Sequence, residues 1–239
     1  MTPMQRLARR LGYDLTPRKK AKPLEAQLAA LLGRFAIACV LDVGANAGQY
    51  GGLLRAWGYR GRIVSFEPVA AAHARLELRA AADPDWHVAP RMALGAKDGE
   101  ATIEVSADSD MSSILPQTEL LRRLSPSSRV VGRERVPIRC LDGLTKEYVK
   151  PGERTFLKVD TQGFEAEVLA GARELLPRLQ GIQLEMSLVR CYEGERDFRE
   201  LIDDLARAGF SPWLFLPGYF EHKLARQLQL DGVFMRAPD

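Results

Sequence analysis

From residue 35 onward, apolar residues fall into short runs separated by amphipathic stretches. The runs are bounded by turn residues and are too short for buried helices, so they predict strands at 39–43, 62–66, 86–94, 156–159, 182–186, 213–216 and 232–235. Helical spacing follows several of them, at 49–57, 70–82, 165–176 and 196–208, the last ending at Gly209 as a C-terminal cap. Strands alternating with helices predict a mainly parallel sheet covered on both faces. The rhythm breaks between the third and fourth strands. There Asp98-Gly99 signals a hairpin turn, 101–105 and 136–140 alternate in polarity, and the stretches 106–113 and 125–128 are polar loops. This is a small β insertion. Residues 1–34 read as a basic helical cap, interrupted by Pro17 and Pro23, with Leu24, Leu28, Leu31 and Leu32 on one helix face. The expected organisation is therefore a cap over 1–34 and one domain over 35–239.

Composition narrows this picture little. At 239 residues, 46% hydrophobic and 27% charged, the chain can bury one core and is too apolar for intrinsic disorder. Its net charge of +3, from 34 basic and 31 acidic residues, does not by itself imply a polyanionic partner. Basic residues gather at Arg6, Arg9, Arg10, Arg18, Lys19, Lys20 and Lys22, a pattern more often a solvated face than an anion contact. There is no apolar signal region and no run of 18 apolar residues, so the expectation is a cytoplasmic protein without a membrane span. Cys39, Cys140 and Cys191 lack metal-type spacing and read as reduced thiols.

The chemistry concentrates at the end of the first predicted strand. Gly44 and Gly48 flank Ala45, Asn46 and Ala47, so backbone can pass close to a ligand as the next helix begins. Such a turn also occurs merely to pack a helix on a strand. Asp42, two residues before the first glycine, adds a charge beside that turn. Against a dinucleotide pyrophosphate, two like charges about 4 Å apart repel by about 4 kcal/mol at an effective dielectric of 20. The glycine spacing also departs from that of a nicotinamide site. A cationic adenosyl ligand, S-adenosylmethionine, suits the carboxylate better. Glu67 ends the second strand, and Pro68 biases it toward extended backbone, so its side chain is placed to accept the ribose hydroxyls of an adenosine.

With these residues in place the chain resembles the FkbM family of methyltransferases over nearly its whole core. The motifs are Val40-Leu-Asp-Val-Gly-Ala-Asn-Ala-Gly48, Val64-Ser-Phe-Glu-Pro68, Ala93-Leu-Gly-Ala-Lys-Asp-Gly99, Ser112-Ser113, Leu157-Lys-Val-Asp-Thr-Gln-Gly-Phe-Glu165 and Leu230-Asp-Gly-Val-Phe234. The resemblance implies an α/β, class I (Rossmann-like) methyltransferase fold, a three-layer sandwich whose seventh strand is antiparallel. It also implies S-adenosylmethionine as donor and O-methylation of a hydroxyl on a sugar, glycolipid or secondary metabolite. The candidate cofactor-binding residues are Asp42, Val43, Gly44, Ala45, Asn46, Gly48, Tyr50, Glu67, Pro68, Ala93 and Asp160. Two positions depart from the pattern: Gln162 stands where many relatives have Glu, and Arg91 where Asn is frequent.

Methyl transfer is a substitution at a sulfonium carbon, in which positioning alone contributes about 7–11 kcal/mol and a base roughly 10²- to 10⁴-fold. Asp160 ends the fourth strand and Glu185 lies near the end of the fifth. Together with Lys158, on the same strand face as Asp160, they are the candidate catalytic groups. The two carboxylates could instead bind Mg²⁺, or be structural, with Asp160 capping a helix and Glu185 pairing with an Arg. Ser112, Ser113, Ser187, Tyr192, Glu193 and His222 are candidates for the acceptor pocket, because polar loops at a strand edge are where a hydroxylated substrate is read. The acceptor expected is a small molecule, glycan or glycolipid. An RNA methyltransferase and a non-catalytic S-adenosylmethionine-binding protein stand as alternatives. Against the former, no Pro-Pro-aromatic motif follows Asp160.

Overall fold

The computed structural model describes residues 3–11 and 24–237; Pro17, Pro23 and the basic residues Arg18, Lys19, Lys20 and Lys22 lie outside them. Helices α1 (Pro3–Arg10) and α2 (Leu24–Arg34) come first. They are followed by β1 (Cys39–Val43), α3 (Gln49–Ala56), β2 (Arg62–Phe66), α4 (Ala70–Ala80), β3 (Trp86–Val88), β4 (Ala93–Leu94) and β5 (Gly99–Ser106). Next are α5 (Glu119–Leu124), β6 (Val130–Arg139), α6 (Leu141–Tyr148), β7 (Thr155–Val159), α7 (Glu165–Ala170) and β8 (Leu179–Ser187). The chain closes with α8 (Phe198–Arg207), β9 (Ser211–Pro217), β10 (Phe220–Glu221), β11 (Arg226–Gln227) and β12 (Gln229–Met235).

Strands β1 and β7 are buried at every position, which is why both are rich in apolar residues without alternation, with Asp42 and Lys158 buried among them. They occupy the centre of a seven-stranded sheet in the order β3-β2-β1-β7-β8-β12-β9. The pairings from β3 to β8 are parallel, and β12 runs antiparallel to both β8 and β9. The sheet is thus mixed, with one reversed strand, where the periodicity predicts a mainly parallel one. Alternate residues feed two apolar layers. Leu41, Val64 and Leu157 face α6, α7 and α8, whereas Val40, Ile63 and Phe156 face α2, α3 and α4. Leu28 and Leu32 of α2 belong to that second layer, so α2 packs into the core. The result is a three-layer α/β sandwich with the sheet between two layers of helices.

Where pattern and structure differ, backbone chemistry explains the difference. The apolar run at 86–94 is two strands, not one. The Ala89 N–H makes a last bond to Ser65 O (3.0 Å), and then Pro90, which has no N–H, turns the chain away. Arg91 secures the turn by donating to Pro68 O (2.9 Å) and Glu134 (3.1 Å), and β4 enters a separate sheet ordered β4-β6-β5, the expected insertion. Helix α7 stops at Ala170 instead of 176, with Gly171 as its C-cap, packed so close to Gly95 that a Cβ there would fall 2.0 Å from the Gly95 carbonyl oxygen. Among the described residues no helix is long and apolar enough to cross a membrane.

Candidate active site

A row of polar side chains crosses the apolar sheet. Trp86 Nε1 donates to Ser65 Oγ (3.0 Å), which donates to Asp42 Oδ2 (3.2 Å). Asp42 Oδ1 lies 3.3 Å from Lys158 Nζ, and the same ammonium reaches Asp160 Oδ2 at 3.4 Å and donates to Gly44 O at 3.0 Å. Beyond Asp160, the Gln162 side-chain nitrogen donates to Asp160 Oδ1 (2.9 Å) and Glu185 Oε2 (2.6 Å), and Gln229 Nε2 donates to the same Glu185 oxygen (2.9 Å). Burial alone would lower Lys158, but attraction to Asp160 and Asp42 overrides it and holds the ammonium protonated. Burial pushes Asp42 up, and Lys158 pulls it back.

Above this row, at the carboxyl edge of the parallel strands, lies a cavity of about 470 Å³, within the size range of small-molecule sites. At one end the turn after β1 supplies Val43, Gly44, Ala45 and Asn46. Gly44 has φ +73, and a Cβ there would stand 1.8 Å from the Asp160 carbonyl oxygen, so only glycine permits the β1 and β7 loops to touch. The Asn46 N–H donates to Glu67 Oε2 (2.8 Å) and the Val69 N–H to Glu67 Oε1 (2.7 Å), which orients that carboxyl at the cavity wall beside Pro68 and Ala93. Burial raises Glu67 to about 7 despite those bonds. Tyr50 lines the cavity and donates to Gln183 Oε1 (2.9 Å).

The other end gathers Lys158, Asp160 and Glu185 with Ser112 and Ser113, all lining the cavity. Glu185 is raised well above the carboxylate range, by burial first and then by Asp160 and Asp231. It meets two glutamine amides, not an Arg. Nor does Asp160 cap a helix: the α7 N-terminus has no side-chain cap, and Glu165 instead accepts from the Thr161 and Gly163 N–H groups.

Six of the residues selected from sequence lie outside the cavity. Asp42 is 0% exposed, sealed beneath the turn by Lys158 and Ser65, so the charge that pointed to a cationic ligand does not itself reach one. Gly48, with φ +79, serves packing, since a Cβ there would meet Leu76 at 2.9 Å and Arg79 at 3.0 Å. Ser187 donates to Glu195 (2.9 Å) behind the wall. Tyr192 is buried and supports Gln162 from the rear. Glu193 is exposed, and His222 is exposed on the β10–β11 turn against the Phe220 ring.

Conversely, Gln49, Asp110, Gln183 and Asp231 line the cavity without having been singled out. Asp231 sits opposite Glu185 in the β12–β8 register and is raised to about 6, chiefly by burial and then by Asp160. Its signal was a carboxylate inside the apolar run Leu230-Asp-Gly-Val-Phe234. Asp110 lies on a single 3₁₀ turn (Ser109–Met111) of the insertion and accepts from Asn46 and from Gln49 Nε2 (3.2 Å), so the insertion touches the β1 turn directly.

The Mg²⁺ expectation does not fit these donors. What Asp160 and Glu185 share is an amide N–H₂, which offers hydrogens where a cation would need oxygen. Among the described residues no cluster of three His, Cys, Asp or Glu is placed to hold a metal.

A reversed strand in this order, a glycine turn against the β7 loop and a strand-terminal acid at β2 define a class I methyltransferase. The Methyltransferase FkbM domain model matches residues 42–212, and the chain belongs to that family, as an S-adenosylmethionine-dependent methyltransferase. Among curated proteins no match is found. Similar solved structures include the methyltransferase domain of bacterial CtHen1-C, at 12% identity and TM-score 0.46, covering 90% of this chain and 97% of that one. An rRNA methylase from Streptococcus thermophilus stands at 8% and 0.46, covering 89% and 95%. Magnesium protoporphyrin IX methyltransferase (ChlM) from Synechocystis PCC 6803, with bound SAM, stands at 10% and 0.46, covering 99% and 86%.

Proposed function

We propose that this chain methylates a hydroxyl group on an uncharged small-molecule, sugar or glycolipid acceptor, in a domain spanning residues 35–239 with 1–34 as a cap. The observation that carries this reading is the charge of the cavity. Glu67, Asp110, Asp160, Glu185 and Asp231 all line it, whereas Lys158 is its single Lys or Arg among the described residues. Carboxyls in such excess over a single ammonium favour a cationic ligand, and the donor's ammonium and sulfonium supply two positive charges. A polyphosphate backbone would meet repulsion at the same wall.

When bound, S-adenosylmethionine supplies an electrophilic methyl group. Glu67, fixed by two backbone N–H groups, is the residue for the ribose hydroxyls, and the turn from Val43 to Asn46 lies beside it. Asp160, stabilised by Lys158, orients the acceptor hydroxyl and receives its proton; Glu185, whose burial favours its protonated form, and Asp231 add two further carboxyls at the same end. Ser112 offers a hydroxyl to a polar acceptor, Ser113 spends its own on the Gln162 main-chain oxygen (2.7 Å), and Leu53, Ile103, Ile114 and Phe164 offer apolar surface.

The test is a transfer screen with isotopically labelled donor over fractionated glycolipids, nucleotide sugars, small metabolites and tRNA. Label in a hydroxylated small molecule or glycolipid, lost in Asp160→Asn, is the expected result. Label confined to RNA would overturn the acceptor class. Absence of S-adenosylhomocysteine binding in calorimetry would overturn the donor assignment.

A further inference from the structure

Gln162 is an unusual residue for its place. It adopts φ +56, a left-handed conformation that costs a non-glycine residue on the order of 1 kcal/mol or more, and it is only 9% exposed. Four bonds over-determine it. Its main-chain oxygen accepts from Ser113 Oγ (2.7 Å), its side-chain oxygen accepts from the Tyr192 hydroxyl (2.8 Å), and its nitrogen donates to Asp160 and Glu185.

This network also fixes which way the amide points. Reversing it would set the amide oxygen against the carboxyl oxygens of Asp160 and Glu185 and leave the Tyr192 hydroxyl only the longer bond to Met111 O (3.2 Å). As it stands, each of the two amide hydrogens has its own carboxylate, and Lys158 takes the other oxygen of Asp160.

Two carboxylates converging within hydrogen-bond reach of one atom repel unless a proton or a cation lies between them. A pair of carboxylate oxygens at neighbouring strand ends is also the donor type a hard divalent ion prefers. Here a neutral amide fills that point. We propose that the Gln162 side chain is a built-in substitute for a divalent cation. It is a positioning residue that holds Asp160 and Glu185 together without metal, and replacing its amide with a carboxylate opens a divalent-cation site there.

The test uses the full chain and Mn²⁺ as probe, followed by electron paramagnetic resonance. Circular dichroism and S-adenosylhomocysteine calorimetry run beside it to confirm folding and the donor site. Wild type is expected to leave Mn²⁺ free, whereas Gln162→Glu, or Gln162→Asp should the first variant not fold, binds one ion at least about tenfold more tightly, by its added ligand charge. Adding Asp160→Asn to either variant should abolish the gain and so place the ion. Mn²⁺ held by wild type and released by Asp160→Asn would overturn the proposal, as would a folded Gln162→Glu that binds no more Mn²⁺ than wild type. Wild type that binds no S-adenosylhomocysteine would sink the donor reading while leaving the Mn²⁺ comparison decisive.

Discussion

Replacing Lys158 with Met keeps the length of the side chain and removes the one ammonium shared by Asp42 and Asp160. At 3.3 Å and an effective dielectric of 20, the Lys158–Asp42 attraction is about 5 kcal/mol before desolvation is subtracted. Without it, a carboxyl that is 0% exposed keeps only the Ser65 hydroxyl as partner. Removing one member of a buried pair typically costs about 3–5 kcal/mol, a large fraction of the roughly 5–15 kcal/mol that holds a domain together. For a chain of this size the loss corresponds to a fall in Tm on the order of 10 °C. Urea unfolding of the ligand-free protein measures it, with the slope m checked for constancy. The double variant Asp42→Asn/Lys158→Met removes both charges and should recover most of the loss. In the single variant the deficit should shrink as pH falls, because Asp42 then neutralises itself by binding a proton. A single variant that loses less than about 1 kcal/mol, or a double variant no more stable than the single, would refute the buried-pair reasoning.

Three further outcomes follow from the geometry. Glu67 is raised from 4.5 to about 7, so between those values the folded protein keeps a proton that the unfolded chain releases. Its stabilising contribution is complete below 4.5 and is lost as pH rises through 7, at up to about 1.4 kcal/mol per pH unit. Glu67→Gln should flatten the pH dependence of unfolding in that window and weaken S-adenosylhomocysteine binding; an unchanged slope would show that Glu67 does not titrate there. Gly44→Ala should cost about 3 kcal/mol or more and abolish S-adenosylhomocysteine binding, since its Cβ meets the Asp160 carbonyl and its φ is positive; calorimetry showing wild-type affinity would contradict the close approach. Tyr192→Phe deletes the donor to the Gln162 amide and should cost about 1 kcal/mol in urea, and wild-type stability would mean that the amide needs no such support.

Much of the fold was legible because the central strands are buried on both faces. Cys39–Val43 and Thr155–Val159 are mostly apolar, with Asp42, Thr155 and Lys158 as the exceptions. Boundaries failed where long-range contacts decide them. Nothing local in Trp86 to Leu94 shows that the second half joins a different sheet, although Pro90 was a visible obstacle. Helix α6 follows β6 without a break in pattern and is held by Leu141, Leu144 and Tyr148 against a core that only tertiary structure creates. Spacing picked out the β1 turn, Glu67, Asp160 and Glu185, all of which line the cavity. It misjudged Asp42, because a charge next to a glycine turn looks the same in sequence whether it faces ligand or core. Asp110 was out of reach: it lies more than 60 positions from Asn46 and arrives only through the packing of the insertion.

The polar row from Trp86 to Gln229 also bears on how the chain finds its fold. Were β1, β2 and β7 apolar throughout, they could slide past one another by two residues and still bury greasy faces. Here Asp42 lies opposite both Ser65 and Lys158, and the row links β3, β2, β1 and β7 in turn before crossing to β8 and β12. A slip of β1 or β7 would strand an ammonium and a carboxylate in hydrocarbon, whereas a slip without the row would be nearly silent. The charge pair sealed beneath the β1 turn thus acts as an alignment key, penalising a slipped pairing of β1 or β7 before any ligand is present.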